Sequence, residues 1–399
     1  MRHLILALLG LSLLTGNSLA AQNPAKRETR EPSRVSTYEA TFSPDSKQIV
    51  LAGLVWWSSD APVQRDMAYF VRLVDLASGK ELWKIVSREE HHHPYFVPDR
   101  PWVLVTAAGG FELRDRQTGA VVKSVAKAFR SYPPSHFKPA PDGNHIVGWG
   151  LPEREGTSGG YSPADLRIRV WDLPKLRQRT EHDSTFFGPH LPHDIVFAPR
   201  GRLALLLSQA VVRAQNDDAN LKRLWNTRTG EVLATFGPYK EPYRELWNAE
   251  VAAWSPDGRF LLLDRADRDG DRRRDFLVLW DVRKKKVVRR FEDRKPNKNS
   301  SEWPTASFLS FSADGKHAVS CDADHMIRRW DVGSGELLGA FNIDQQCAIG
   351  LSPDSRLAIV DSANHGITLR DTKTGKAVQT LQETPWEHPP QLPLRHGEP

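Results

Sequence analysis

The sequence predicts an all-β chain of repeated four-stranded antiparallel sheets. Three observations carry this: apolar runs of strand length, turn signals between them, and recurrence of the whole unit along nearly the full chain. The unit is clearest from Phe308 to Phe341, FLSFSADGKHAVSCDADHMIRRWDVGSGELLGAF. Phe308 to Phe311 is a first run, Ala313-Asp314-Gly315 a tight turn, and Lys316 to Cys321 a second run. Asp322 to His325 turns the chain again, Met326 to Trp330 is the third run, and Glu336 to Phe341 follows Gly333-Ser334-Gly335 as the fourth. Glycine in such turns takes positive φ without steric cost.

The other units follow in order. The first places Phe42-Ser43-Pro44-Asp45-Ser46 before Gln48 to Ala52, then Phe70 to Asp75, Ser78-Gly79 and Glu81 to Val86. The second has Val97-Pro98-Asp99, Val103 to Val105, Phe111 to Asp115, Thr118-Gly119 and Val121 to Val125. In the third, Pro141-Asp142-Gly143, Ile146-Val147 and Ile168 to Asp172 are followed by Pro174-Lys175-Leu176 where a Thr-Gly turn stands elsewhere. The fourth shows Pro199-Arg200-Gly201, Leu203 to Leu207, Leu224 to Asn226 and Thr229-Gly230. The fifth has Trp254 to Gly258, Phe260 to Leu263 and Phe276 to Asp281. The seventh has Leu351 to Ser355, Leu357 to Val360, Ile367 to Asp371, Thr374-Gly375 and Ala377 to Leu381.

Runs such as Phe276 to Trp280 and Leu203 to Leu207 are apolar at successive positions, so both faces of these strands must be buried. Sheets packed radially, each covering its neighbours, satisfy that requirement. The expectation is therefore a seven-bladed β-propeller over residues 36–381, with four antiparallel strands per blade. Every unit holds its own four strands, so Ala377 to Leu381 should form the outer strand of the last blade without a strand lent by the N-terminus.

The chain has 399 residues, 39% hydrophobic and 26% charged, with a formal net charge of +6, a composition suited to a folded domain and not to nucleic-acid binding. One basic stretch, Arg283 to Lys298, holds nine basic and two acidic residues, which suits an outer edge strand kept from pairing with other chains. Residues 1–20, MRHLILALLGLSLLTGNSLA, have a basic start, an apolar run from Leu4 to Leu14, and Ser18 and Ala20 before a cut site; they read as a secretory signal peptide. The run is shorter than the roughly 20 residues a spanning helix needs. A secreted or periplasmic location, a flexible tether over 21–35 and a Pro-rich disordered tail over 382–399 are expected. Cys321 and Cys347 permit one disulfide.

At these residues the chain resembles the WD40 repeat family. Trp171-Asp172, Trp280-Asp281 and Trp330-Asp331 match that family's dipeptide, Trp225-Asn226 nearly matches it, and Asp75, Asp115 and Asp371 keep the acid. The resemblance implies a buried network in which Asp324, Ser320 and Trp330 take part, although the Gly-His that completes it is missing from every repeat. It also implies that the loops before each first strand and after each second strand share one face. Long segments fall there: Leu54 to Ala68, Ser87 to Pro94, Gly150 to Asp165, Thr180 to His193, Ser208 to Asn220, Gly237 to Ala249, Asp264 to Asp275 and Glu292 to Thr305. Long loops on one face of a rigid scaffold often bind partners. Trp56, Trp57, Phe186, Phe187, Tyr243 and Trp247 are the expected contact residues, against the plainer reading that such aromatics pack their own loops.

No reactive constellation stands out. Gly156-Thr157-Ser158-Gly159-Gly160 fits a G-x-S-x-G pattern, but no helix follows it. Asp267, Asp269, Asp271 and Asp275 alternate with arginines that balance them, so internal pairing is expected rather than calcium. The histidines His91, His93, His190 and His193 are candidate metal ligands, with solvated loop histidines as the plainer reading. The expected function is a non-catalytic binding or scaffold module for a protein or peptide, with no cofactor. The alternative is a propeller enzyme acting on an extracellular polymer or small molecule, with or without assistance from a metal.

Overall fold

The computed structural model describes residues 32–57, 66–88, 91–107, 109–130, 136–152, 165–182, 190–210, 222–236, 251–269, 272–292, 306–343, 347–362, 366–381 and 385–386. The expected signal peptide and tether up to residue 31 lie outside them. Among the described residues, twenty-eight strands form seven four-stranded antiparallel sheets, each in sequential order. Blade 1 comprises β1 (Arg34–Phe42), β2 (Gln48–Trp57), β3 (Asp66–Asp75) and β4 (Glu81–Ser87). Blade 2 comprises β5 (His91–Phe96), β6 (Trp102–Ala107), β7 (Gly110–Asp115) and β8 (Val121–Val125). Blade 3 comprises β9 (His136–Pro139), β10 (His145–Gly150), β11 (Arg167–Asp172) and β12 (Arg177–His182). Blade 4 comprises β13 (His190–Phe197), β14 (Leu203–Ala210), β15 (Lys222–Asn226) and β16 (Val232–Phe236). Blade 5 comprises β17 (Ala252–Trp254), β18 (Phe260–Asp269), β19 (Arg272–Asp281) and β20 (Lys286–Phe291). Blade 6 comprises β21 (Ala306–Phe311), β22 (His317–Asp322), β23 (Met326–Asp331) and β24 (Leu337–Asn342). Blade 7 comprises β25 (Cys347–Leu351), β26 (Leu357–Ser362), β27 (Gly366–Asp371) and β28 (Ala377–Thr380).

The same turn chemistry recurs because the same atoms are paired. Between first and second strands, Ser43, Ser255, Ser312 and Ser352 each donate a hydroxyl hydrogen bond of 2.6 Å to the Asp two residues on. The same serine oxygens accept the backbone N–H five residues on at 2.8–2.9 Å. Between third and fourth strands, Asp75, Asp115, Asp331 and Asp371 accept from the backbone N–H and hydroxyl of the Ser or Thr three residues on. A positive φ closes that turn in every blade, at glycine in five of them and at Leu176 and Lys285 in blades 3 and 5. Blade geometry thus imposes left-handed backbone even on residues that resist it.

Each core lies between blades rather than within one. Ile49 and Leu51 of β2 pack toward blade 7, whereas the alternating Val50 and Ala52 pack toward blade 2. On β18, Leu261 and Leu263 join blade 4 and Leu262 joins blade 6. Successive side chains of a strand point to opposite faces, so this division accounts for the continuous apolar runs. The remaining seams, 2/3, 3/4 and 6/7, are filled in the same way. First strands lie beside first strands of adjacent blades, including β25 beside β1, which makes them the inner ring.

The ring closes by packing. β28 is the outer strand of blade 7, as its own repeat supplies it, and the described N-terminal residues pair within blade 1. Three contacts reinforce this seam. Asp361 Oδ2 accepts from Thr37 N at 3.0 Å, Gln379 Nε2 donates to Leu76 O at 3.1 Å, and Trp386, 3% exposed, inserts into the shared core. Its ring meets Phe70 edge-on at 4.8 Å, and Lys84 Nζ sits 4.3 Å from the ring centroid while donating to Pro385 O at 3.2 Å. Residues 385–386 of the expected disordered tail are therefore anchored, because an indole can complete an apolar seam that Val74 of blade 1 leaves without the third-strand Trp found in blades 3–6.

Some expected loops are strands. β2 and β3 pair as far as Trp57 and Asp66, and β18 and β19 as far as Asp269 and Arg272, so much of 54–68 and 264–275 is extended hairpin. The second register sets Asp267 opposite Arg274 and Asp269 opposite Arg272. The basic stretch forms β20, the outer strand of blade 5. Cys321 is a buried free thiol, its pKa pushed well up by burial and by the Asp322 charge; the Cys347 side chain falls outside the described residues.

Blade 6 carries a buried polar network. Trp330 Nε1 donates to Ser320 Oγ at 3.3 Å, as the resemblance implies, but the carboxylates are answered by Arg328. That guanidinium contacts Asp324 through two hydrogen bonds of 2.8 and 2.9 Å and also pairs with Asp322. Burial would lower the Arg328 pKa, yet the Asp324 hydrogen bonds and the two carboxylate charges outweigh it, so the residue is held protonated.

Two predictions follow from the seam and the turns. Trp386→Ala should lower the unfolding free energy by about 3–5 kcal/mol, read from chemical denaturation, because it empties a packed aromatic site. An unchanged midpoint would show that the seam does not need this ring. Asp75, Asp115 and Asp331 are held below the usual carboxylate range, first by the hydrogen bonds from Ser78, Thr118 and Ser334 respectively. The unfolded chain then binds these protons more readily, so their contribution is present above about pH 4 and is lost as pH falls through the lower folded values. A variant with all three changed to Asn should show a shallower fall of thermal midpoint below about pH 4 than the native chain.

Candidate functional site

Along an inner strand the side chains alternate between the inter-blade cores and the central axis. On β9, Phe137 and Pro139 are buried while His136 and Lys138 are half-buried. On β1, Ala40 and Phe42 are buried while Glu39 and Thr41 are half-buried. Counted back from the turn after each first strand, Glu39, His93, His136 and Asp194 occupy one tier in blades 1–4. Tyr95 and Lys138 occupy the tier two residues further on. The corresponding residues in blades 5 and 6 include Val251, Ala253 and Phe308. The inner ring is thus polar across four blades and largely apolar opposite them.

These polar side chains meet one another. His93 Nδ1 donates to Glu39 Oε2 at 2.6 Å, joining β5 to β1. The His93 and His136 rings lie 4.9 Å apart, and His136 stacks on Trp149 at 5.1 Å. Lys138 Nζ donates to Asp194 Oδ1 at 2.8 Å and lies 5.6 Å from the centre of the Tyr95 ring. Lys138 therefore touches the blade before it and the blade after it, which a side chain can do only near the axis. β-Bulges set the aim: the register shifts between Thr37 and Glu39, between His92 and Tyr95, and between Pro192 and Asp194. His93 sits inside the second bulge with φ of 49°, an uncommon conformation for a residue with a Cβ and one that clusters at functional positions.

The electrostatics follow from that geometry. Burial alone would lower the His93 pKa, but the Glu39 hydrogen bond and charge, with help from Asp194, raise it above the ordinary 6.5. Tyr95 is pushed well above its ordinary value by burial first and by Glu39 and Asp194 next, so its hydroxyl stays protonated and donates to Glu39. The cluster therefore holds one carboxylate against an imidazole and a phenol, and another against an ammonium. Proton storage, anion contact and acid–base transfer are all within its chemistry.

No family model matches the chain. Over 126 residues, 31% of its length, it is 27% identical to human WD repeat-containing protein 36, and that stretch spans 13% of the human protein. In three dimensions it is similar to a chain of Kuenenia stuttgartiensis hydrazine synthase, with a TM-score of 0.58 at 14% identity, over 88% of this chain and 98% of that one. The chain is a WD40-like seven-bladed β-propeller. At 14% identity the second likeness is one of fold.

Within this WD40-like propeller the expected contact residues separate. Trp57 is 4% exposed and belongs to the core between blades 1 and 7, so it is a packing residue. Trp56 is half-buried at the end of β2 with the Arg34 guanidinium 5.2 Å from its ring centre. Phe186, Phe187, Tyr243 and Trp247 lie outside the described residues. Of the histidines, His93 enters the axial cluster; His91, His190 and His193 sit on β5 and β13, but their side chains fall outside the description. Among the described residues, no group of three or more His, Cys, Asp or Glu is placed to hold a metal ion. Glu39, Tyr95, His136, Lys138 and Asp194 were not singled out by sequence, since each is one residue of a different repeat or strand position. Aligning the repeats on their turns and reading four residues back is the signal that finds the upper tier.

Glu39→Gln should lower the His93 titration midpoint, measured by NMR of its ring protons, because the charge that holds the imidazolium is removed. A midpoint that stays put would assign the shift to another neighbour.

Proposed function

We propose that this propeller is an exported, non-catalytic binding module that receives a protein or peptide partner on the face where the first strands begin and the second strands end. The observation that carries this reading is the axial cluster of Glu39, His93, Tyr95, His136, Lys138 and Asp194, which concentrates ionisable groups at one arc of the inner ring. The leader-like residues 1–20 support export, and the modest net charge of +6 disfavours a phosphate-dominated nucleic-acid contact. Among the described residues, no helix is long and apolar enough to cross a membrane. Trp56, beside Arg34 at the end of β2, supplies an aromatic contact on the same face.

The test is co-purification from the native extracellular or periplasmic fraction. Wild type is compared with Lys138→Ala/Asp194→Ala, which alters the axial cluster, and with Lys316→Glu on the opposite face. Loss of the same partner with the first variant and its retention with the second is the expected result. Equal recovery by all three would remove this face.

A second reading is favoured by one observation, the strained His93 held between Glu39 and His136. In it the cluster is the acid–base centre of a propeller enzyme, and the structural likeness to a chain of a hydrazine synthase supports it at the level of fold. Turnover of a small molecule that is lost in His93→Gln would move the assignment there.

A further inference from the structure

In a sequential antiparallel sheet the turn between the first and second strands and the turn between the third and fourth lie at the same end. Seven pairs of short turns therefore make one face, opposite to the one proposed for the partner. In most blades the charges of the pair cancel. Blade 1 carries Asp45, Lys47, Asp75 and Lys80; blades 2 and 3 likewise hold two acids and two bases each, blade 6 has one acid over and blade 7 one base over. Blades 4 and 5 differ. Over 199–202, 226–231, 256–259 and 281–286 there are eight bases against three acids, a net charge of +5 in a chain whose whole net charge is +6.

These bases are exposed and adjoin one another. Arg202 O accepts from Thr227 N at 3.1 Å, which sets Arg202 beside Arg228, and Arg259 O accepts from Val282 N at 3.0 Å, which sets Arg259 beside Arg283. Pro199 Cδ stands 3.7 Å from where a Cβ on Gly258 would lie, so the turns of the two blades abut. Asp281 is fully buried beneath its turn, where it accepts from Arg283 N and Lys284 N at 3.0 and 2.9 Å and pairs with Arg259 at 3.1 Å. The side chains of Arg200, Arg202, Arg228 and residues 283–286 make no hydrogen bond or ion pair among the described residues. In blade 2, by contrast, Arg100 donates to Gly143 O and Asn144 Oδ1 of blade 3, and Arg116 reaches Gln48 and Asp45 of blade 1. Guarding an outer edge accounts for Lys286 and Arg290 on β20. It does not account for residues 283–285, which precede that strand, or for the arginines of blade 4.

We propose that this basic face of blades 4 and 5 docks on an anionic phospholipid membrane, whose headgroup phosphates are met by Arg200, Arg202, Arg228 and residues 283–286. The four segments are short turns and contain no aromatic residue. Single-stranded nucleic-acid sites add aromatic platforms on which bases stack, and duplex readers lay a helix or ribbon in a groove; these turns supply neither. A layer of lipid headgroups asks only for cations presented together near its plane, each of which strengthens binding about fivefold. Docking in this way leaves the opposite face turned from the membrane, and it stands whether or not that face receives a protein partner.

The test is co-sedimentation of the full chain with vesicles of phosphatidylcholine alone and of phosphatidylcholine with about 30% phosphatidylglycerol. The expected result is binding to the anionic vesicles only, at about 0.1 M salt, and its loss at about 0.5 M salt, where screening is stronger. Arg200→Glu/Arg202→Glu on blade 4 and, separately, Lys284→Glu/Lys285→Glu on blade 5 should each weaken binding about twentyfold or more. Lys373→Glu/Lys376→Glu changes the net charge equally at the same end of blade 7 and should weaken it about threefold or less. Two variants on different blades keep the test valid if one fails to fold. Equal binding to phosphatidylcholine alone, no binding to the anionic vesicles at low salt, or an equal loss in the blade 7 variant would each overturn the proposal. Tighter binding of duplex DNA or of polyglutamate than of anionic vesicles at the same salt would also overturn it and assign the face to nucleic acid or to an acidic protein.

Discussion

Burial of both faces of every sheet is the constraint on which the rest of the structure depends. A four-stranded unit of this size cannot hide Ile49 and Val50 on opposite faces by itself, so each blade needs two neighbours and the ring must close. Six seams join units consecutive in sequence. The seventh, between blades 7 and 1, joins the chain's ends and has no such covalent help. Its reinforcement is a side-chain carboxylate on a backbone N–H, an amide on a carbonyl, and the indole of Trp386 delivered from beyond the last strand. Blade 5 uses the same carboxylate device on blade 6, where Asp264 Oδ2 accepts from Ala306 N at 3.1 Å. Trp386 completes the closing seam because Val74 stands where blades 3–6 bring a tryptophan of their own.

The blades were legible because their signals are local. Ser-Pro-Asp and Asp-x-x-Thr-Gly turns specify their own hydrogen bonds within five residues, so each repeat announces itself even where Leu176 or Lys285 replaces the glycine. Trp57 misled for a physical reason. It follows Gly53, which breaks the apolar run of β2, so the end of that strand read as a loop, yet the ladder to β3 continues to Trp57 opposite Asp66 and turns its ring into the core. Trp386 was hidden in a Pro-rich segment, where one anchoring residue leaves no period. The axial cluster was hidden by distance: Glu39 and Asp194 are more than 150 residues apart in sequence, and bulges that depend on tertiary pairing set their direction.

The buried network of blade 6 shows how a motif can lose a member and keep its function as glue. The family pattern uses a histidine to answer a buried Asp. Here Arg328, on the strand that also carries Trp330, reaches Asp322 and Asp324 and satisfies both. A guanidinium has the donors for two carboxylates at once, which one imidazole lacks. The exchange keeps the Trp330–Ser320 hydrogen bond and removes the need for a side chain from the preceding loop.

That network also sharpens what is unusual at the axis. In blade 6 the charges are fully buried and their work is structural, since they tie adjacent strands of one sheet. At the axis the fold makes no such demand: Val251 and Phe308 occupy the same tier in blades 5 and 6 and the inner ring is complete there. Holding Glu39, His93, Lys138 and Asp194 half-desolvated, with His93 in a left-handed conformation, costs free energy that apolar residues at those positions avoid. The ion pairs offset part of that cost but add no seam that the cores have not already supplied. The polar arc of blades 1–4 is therefore the part of the inner ring that seam packing does not account for, because the apolar arc of blades 5 and 6 completes the same ring without it.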